Sequence, residues 1–258
     1  MGPDFLELFD CFFVQFRYFW GCNNTILLVI IQIFHLFFML NLKVAQKVGI
    51  EVVNLENIKN IIFDLGNVII DIHYNRTLDA FRNLGFNEFE KAYSLFKQSD
   101  LFTLLETGKI PGEEFCNSLR SNGIEISSNE DIKNAWSMML GELTAENYEL
   151  LKSVRKNYKT FLLSNTNEIH IDYFTKGIIK AFGKNVLPEM FDKIYYSHTV
   201  RLRKPNVEIY EYVIKDAGLV PEETIFIDDL LENIEAARET GLLGYHLQNE
   251  KIEELFKY

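Results

Sequence analysis

Asp64 follows the apolar run Ile61-Ile62-Phe63 and opens the stretch Asp64-Leu65-Gly66-Asn67-Val68. A carboxylate at the tip of a buried strand, with a glycine two residues on, can serve as a nucleophile. Three later segments carry groups that suit the same chemistry. They are Leu162-Leu163-Ser164-Asn165, Arg203-Lys204-Pro205 and Phe226-Ile227-Asp228-Asp229. A nucleophile, a hydroxyl, a cation and an acid pair able to hold a metal, in that order, point to phosphoryl transfer. A carboxylate can attack phosphorus and split hydrolysis into two steps. An ordinary aspartate, with a pKa of about 4, is ionised at pH 7 without further tuning. The attack joins two anions, so it needs a counter-charge. Mg²⁺ held by one or two carboxylates and the substrate phosphate supplies one.

Each residue also has a plainer role. Asp64 alone reads as a turn acid, Asp228-Asp229 as a helix N-cap, Ser164-Asn165 as a cap, and Lys204 as a surface lysine. Order and strand-end placement make the set specific. Ser164 and the backbone N–H groups beside it, at a strand end before a helix, suit a phosphate. Pro205 restricts Lys204 to an extended backbone, and a fixed ammonium there stabilises developing charge.

The elements that must position these groups are short. Asn60–Asp64, Thr160–Ser164, Lys193–Ser197, Thr224–Asp228 and Leu243–Leu247 are apolar runs without clean alternation, the pattern of parallel strands covered on both faces. Helical patterns fill Val207–Ala217, ending at Gly218, and Leu230–Thr240, ending at Gly241. Strand–helix alternation predicts an α/β fold with a doubly wound, Rossmann-like parallel sheet. Residues 76–155 are too long for one crossover and read as helical: Leu78, Phe81 and Leu84; Phe89, Ala92, Tyr93 and Phe96; Leu101, Leu104 and Leu105; Phe115 and Leu119. The expected organisation is a core domain of 58–75 and 156–258 with a helical cap, 76–155, inserted after the first strand. Such an insert covers the strand ends where α/β sheets bind ligands.

The net charge of −11 argues against nucleic acid, which needs a basic face. The expected partner is a small phosphorylated metabolite; the oligomeric state is left open. Cys11, Cys22 and Cys116 form no CxxC pair, so they read as thiols in a reducing, cytoplasmic compartment. Residues 1–57 form an N-terminal extension whose first 42 residues differ in composition. The apolar stretch Ile26–Leu40 is shorter than the ~20 residues of a spanning helix. Three readings stay open: an upstream extension absent from the mature protein, a helix packed on the domain, or a membrane anchor. Only the last brings membrane contact, and Lys43 and Lys47 would then place the catalytic domain on the cytoplasmic side.

The four segments, with Ser164-Asn165-Thr166-Asn167 as the second, resemble the signature motifs of the haloacid dehalogenase-like hydrolases over roughly residues 58–250. The resemblance implies Asp64 as nucleophile, Ser164 and Lys204 as phosphate ligands, and Asp228 with the Gly66 carbonyl as Mg²⁺ ligands beside Asp64. The Asp-Leu-Gly-Asn-Val form resembles a sugar-phosphate phosphatase subgroup that includes an alpha-D-glucose-1-phosphate phosphatase. The expected activity is that of a Mg²⁺-dependent phosphoric monoester hydrolase. The rivals are a dehalogenase, which would leave Asp228-Asp229 without a role, and a weakly catalytic phosphate-binding regulator. Two positions depart from the family pattern. Most phosphatases of the family have an acid where this chain has Gly66, and losing a general acid costs about 10²–10⁴-fold. Asp71 or His73 stands in only if the fold delivers it; otherwise the substrate has a good leaving group, as an anomeric phosphate does, or turnover is slow. The leaving-group explanation is preferred. Arg201 stands where relatives have glycine, and is expected to point to solvent. Glu106 is expected in a solvated turn, His73 in a polar loop, and Trp136 in the core of the bundle.

Overall fold

Five parallel strands form one sheet in the computed structural model of the chain, which describes residues 57–86, 93, 100–121, 128–248 and 250–256. They are β1 (Asn60–Phe63), β2 (Lys159–Ser164), β3 (Lys193–Tyr196), β4 (Thr224–Asp228) and β5 (Leu243–His246). Each lies within one residue of its expected range. The order is β3-β2-β1-β4-β5. The chain winds to one side of β1 and then returns to add β4 on the other. Ligands bind α/β sheets in the crevice at such a reversal, outside the carboxyl ends of the strands.

The missing alternation in the strand sequences has a direct cause. Ile61, Phe63, Leu162, Ile225 and Ile227 enter the core on one face of the sheet. Ile62, Phe161, Leu163 and Phe226 enter the core on the other. Successive side chains point to opposite faces, and both faces are covered, so the central positions of β1, β2 and β4 are apolar on both sides.

Between β1 and β2 the described residues hold α1 (Tyr74–Asn83), α2 (Leu101–Glu106), α3 (Gly112–Ser121), α4 (Asn129–Ser137) and α5 (Ala145–Val154). Ser128 caps α4 by accepting from the N–H of Asp131, and Thr144 caps α5 by accepting from that of Asn147. Helices α1 to α4 enclose a second core that contains Phe81, Leu105, Phe115, Leu119 and Trp136. By contrast, α5 places Leu151 and Val154 in the core of the sheet. The chain passes between the two cores twice, at adjacent places. Ile72 and Leu140 form an antiparallel bridge. Beside it His73 N–H donates to the Met139 carbonyl at 2.7 Å, and Gly141 N–H to that of Asp71 at 2.8 Å.

Helices α6 (Glu168–Phe182) and α7 (Leu187–Met190) lead to β3. α8 (Ser197–Val200) and α9 (Val207–Ala217) lead to β4, and α10 (Leu231–Glu239) to β5. Residues 1–56 of the N-terminal extension, with Cys11 and Cys22, and the pattern at Phe89, Ala92 and Phe96 lie outside the described residues. Among the described residues no helix is long and apolar enough to cross a membrane.

Candidate active site

Parallel register brings the polar tips together. Phe63 of β1 lies opposite Leu162 of β2 and Ile227 of β4. One step further on, Asp64 emerges beside the ends of both neighbours, where Ser164 closes β2 and Asp228 closes β4. The Asp64 N–H donates to the Ile227 carbonyl at 2.9 Å, continuing the ladder.

Lys204 reaches into this cluster from the loop before α9. Its Nζ lies 2.7 Å from Asp64 Oδ1 and 2.6 Å from Asp228 Oδ2. The ammonium stands over the Phe226 ring, 5.3 Å from its centroid. The Lys204 side chain is 1% exposed, that of Asp228 0% and that of Asp64 12%, which rules out the surface-lysine reading. Asp228 Oδ1 accepts from the N–H of Leu230 and from Asn233 Nδ2, at 2.8 and 2.9 Å. The helix-cap alternative for Asp228 therefore fails in part: it steadies the start of α10, but its other oxygen belongs to the site. Asp229 Oδ2 accepts from Asn67 Nδ2 at 2.9 Å. Asn67 is fixed in turn, in a left-handed conformation with φ 53° and its Oδ1 accepting from the N–H of Ile72.

The carboxylates of Asp64, Asp228 and Asp229 each offer one oxygen within 4.8 Å of the others. Three acids around one ammonium leave excess negative charge in a largely buried place, which a hard divalent cation with oxygen ligands would relieve. Burial pushes the Asp64 carboxyl up to about 7; the Lys204 ammonium opposes that rise and Asp228 adds to it. The expectation that Asp64 needs no tuning took no account of this burial. Positive charge placed at this carboxyl opposes the effect of burial and favours its ionised form. For Lys204, burial works against the charge, but Asp64 and Asp228 outweigh it and its pKa is raised.

Ser164 is 4% exposed, and its hydroxyl has no hydrogen-bond partner among the described residues. Asn165 differs from expectation. Its Oδ1 accepts from the Lys204 N–H at 2.9 Å and its Nδ2 donates to the Lys204 carbonyl at 2.8 Å. Both ends of the amide thus hold the Lys204 backbone, and only the Asn165 backbone N–H is left for a phosphate. The N-cap of α6 is neither Ser164 nor Asn165 but Asn167, which accepts from the N–H groups of Ile169 and His170. Ser197 ties β3 to this loop, its hydroxyl donating to the Thr166 carbonyl and accepting from the Thr166 N–H.

At Gly66 an added Cβ would lie 3.0 Å from Ile72 Cγ1 and 3.3 Å from Cδ1. Any side chain there requires Ile72 to move. Among the described residues, Asp71 and His73 make no hydrogen bond or ion pair with the Asp64 cluster. Arg201 is exposed, as expected, and its φ of 61° explains why a glycine suits that position. Trp136 is core, stacked at 8° on Phe102 and at 22° on His170. Glu106 is not a solvated turn residue. It ends α2 and its Oε2 pairs with Arg203 Nη2 at 3.0 Å.

Sequence reasoning missed Asn67, Asn233 and Ser197 as positioning residues. Asn67 stands within the Asp64 motif, and Asn233, five residues after Asp228, falls in the first turn of α10. Nothing in the sequence marks Ser197.

A doubly wound sheet with carboxylates, a hydroxyl and a lysine gathered at its strand tips defines a class of hydrolase. The chain belongs to the haloacid dehalogenase-like hydrolases, whose sequence pattern it matches over residues 58–241. It is 34% identical over 193 residues to a D-ribitol-5-phosphate phosphatase from Bacteroides thetaiotaomicron, covering 74% of this chain and 93% of that protein. It is 23% identical over 212 residues to a glyceraldehyde 3-phosphate phosphatase from Methanocaldococcus jannaschii, covering 77% and 88%. Among solved structures it resembles a HAD family enzyme from B. thetaiotaomicron in complex with magnesium and inorganic phosphate. That likeness has a TM-score of 0.72 and 33% identity, and covers 78% of this chain and all of the other.

Proposed function

We propose that the chain hydrolyses a small phosphomonoester, a sugar or sugar-alcohol phosphate, through an aspartyl phosphate on Asp64, with Mg²⁺ as cofactor. The observation that carries this reading is Lys204 Nζ held between Asp64 and Asp228, with Asp229 completing an acid cluster at the sheet's reversal point. The kinship with phosphatases of sugar and sugar-alcohol phosphates supports it.

An Asp64 carboxylate oxygen attacks phosphorus as the bond to the leaving oxygen breaks. Water then cleaves the acyl phosphate and returns the carboxylate. Ser164 and the backbone N–H of Asn165 hold the phosphoryl oxygens, and Lys204 stabilises their developing charge. Asp64, the Gly66 carbonyl and Asp228 would hold Mg²⁺, with Asp229 within 4.8 Å of the other two carboxylates. A bound ion would supply counter-charge to the phosphate and favour the ionised Asp64 carboxylate. A dehalogenase has no use for that acid cluster.

Two assays test the reading. Phosphate release from p-nitrophenyl phosphate is expected with Mg²⁺ and abolished by EDTA, with recovery when Mg²⁺ is restored; release that persists in EDTA removes the metal from the scheme. The second concerns the leaving group. With Gly66 packed by Ile72, position 66 supplies no acid to protonate the departing oxygen. Sugar 1-phosphates, whose anomeric oxygen leaves readily, are expected to outpace 6-phosphates, within the roughly 10²–10⁴-fold that general acid catalysis supplies. Equal rates on the two would mean another acid acts.

A further inference from the structure

Glu106 and Arg203 meet one residue from Lys204, at the seam between the second core and the sheet. Leu101 and Leu105 of α2 lie in the second core. Arg203 precedes α9, whose Ile209 and Val213 pack on the sheet. Their ion pair uses Oε2 and Nη2, and capacity is left over on both sides. Arg203 Nε is buried without a hydrogen-bond partner among the described residues, and Glu106 Oε1 accepts from none of them. An unused acceptor and an unused donor on the two partners of one ion pair suit an alcohol hydroxyl, which donates and accepts at once.

The pair is also held in place. Phe102 lies four residues before Glu106, on the same face of α2, and stacks on Trp136 with ring centroids 5.1 Å apart. Just beyond α2, Gly108 adopts φ +60°, and an added Cβ there would stand 2.3 Å from the His198 carbonyl oxygen of α8. The turn after Glu106 therefore rests directly on the segment that leads to Lys204. A carboxylate so placed, beside a site otherwise suited to phosphate, would meet a part of the substrate that is not phosphate.

We infer that Glu106, supported by Arg203, is a specificity-determining residue that binds a hydroxyl of the leaving group. This rests on the phosphatase reading above and assigns the groups that recognise the polyhydroxylated half of the substrate. The test compares wild type, Glu106→Gln and Glu106→Ala. Each is assayed on p-nitrophenyl phosphate, which has no alcohol hydroxyl, and on the best of D-ribitol 5-phosphate, D-ribose 5-phosphate and D-glucose 1-phosphate. Loss of a charge-assisted hydrogen bond predicts that Glu106→Ala lowers kcat/KM for the polyol ester by about 10–100-fold, mainly through KM. The loss on p-nitrophenyl phosphate is expected to be at least tenfold smaller, so the ratio of the two kcat/KM values falls. Glu106→Gln, which keeps the shape, is expected to show the same selectivity with a smaller loss, and it carries the test should the alanine variant fail to fold. Parallel losses on both substrates would overturn the inference, since the pair would then only position Lys204. An unchanged KM for the polyol ester in both variants would overturn it equally, as would wild-type protein that cleaves p-nitrophenyl phosphate and none of the three polyol esters. Wild-type protein that cleaves no phosphomonoester at all would instead overturn the phosphatase reading itself.

Discussion

Asp64→Asn is expected to abolish phosphate release, by about 10⁴–10⁶-fold in kcat, the scale seen when the nucleophilic machinery of other hydrolases is removed. The amide keeps the shape and the contact to Lys204 but cannot form an acyl phosphate. Loss of activity alone does not separate a missing nucleophile from a damaged fold, so stability must be measured beside it. The charge count makes the two diverge. In wild type, one ammonium faces two carboxylates at 2.6 and 2.7 Å. In the variant, Lys204 and Asp228 remain as a balanced pair. The urea midpoint of metal-free Asp64→Asn is therefore expected to match or exceed that of wild type. Activity within tenfold of wild type, measured as phosphate released from p-nitrophenyl phosphate, would remove Asp64 from the role of nucleophile.

Lys204→Ala has the opposite effect on the fold. It strands Asp64 and Asp228 without their cation, in a place where Asp228 is fully buried. Breaking a buried pair by removing one partner costs about 3–5 kcal/mol. That loss is expected in EDTA, read as a lower urea midpoint with an unchanged slope. Mg²⁺ should return part of it, because an ion that binds only the native state stabilises by about 2.7 kcal/mol at 100 times its Kd. An unchanged midpoint in EDTA would mean that Lys204 does not neutralise the pair. The two variants form a matched test. One removes a surplus carboxylate and spares the fold; the other removes the ammonium that both acids share and weakens it, while both stop turnover.

The strands were legible because burial on both faces leaves no ambiguity of period: Ile61-Ile62-Phe63 and Ile225-Phe226-Ile227 offer nothing polar to place outward. Lys204 was legible only in company. Alone it reads as a surface residue, and its 1% exposure follows from a partner cluster assembled from distant strands. Asn67 and Asn233 were not legible as second partners, because a single asparagine in a turn or helix carries no spacing signal. Asn67 meets Asp229, 162 positions further along the chain, only once the sheet between them has folded. Glu106 was misplaced for a similar reason. The glycine two residues later marks a turn, and turns usually face solvent, but this one lands on α8. The state of the Asp64 carboxyl was hidden too, since the burial that raises it is a property of the packed sheet and not of the motif.

The paired crossings at Ile72 and Leu140 carry an evolutionary consequence. Because the segment between them departs from and returns to the sheet at adjacent places, its length bears little on how Phe63 registers against Leu162 and Ile227. Its lining is less free, since Ile169 of α6 completes the second core and Glu168 accepts from the Gly112 N–H. The two stretches are therefore expected to diverge together at that seam, with Glu106 on one and Arg203 on the other.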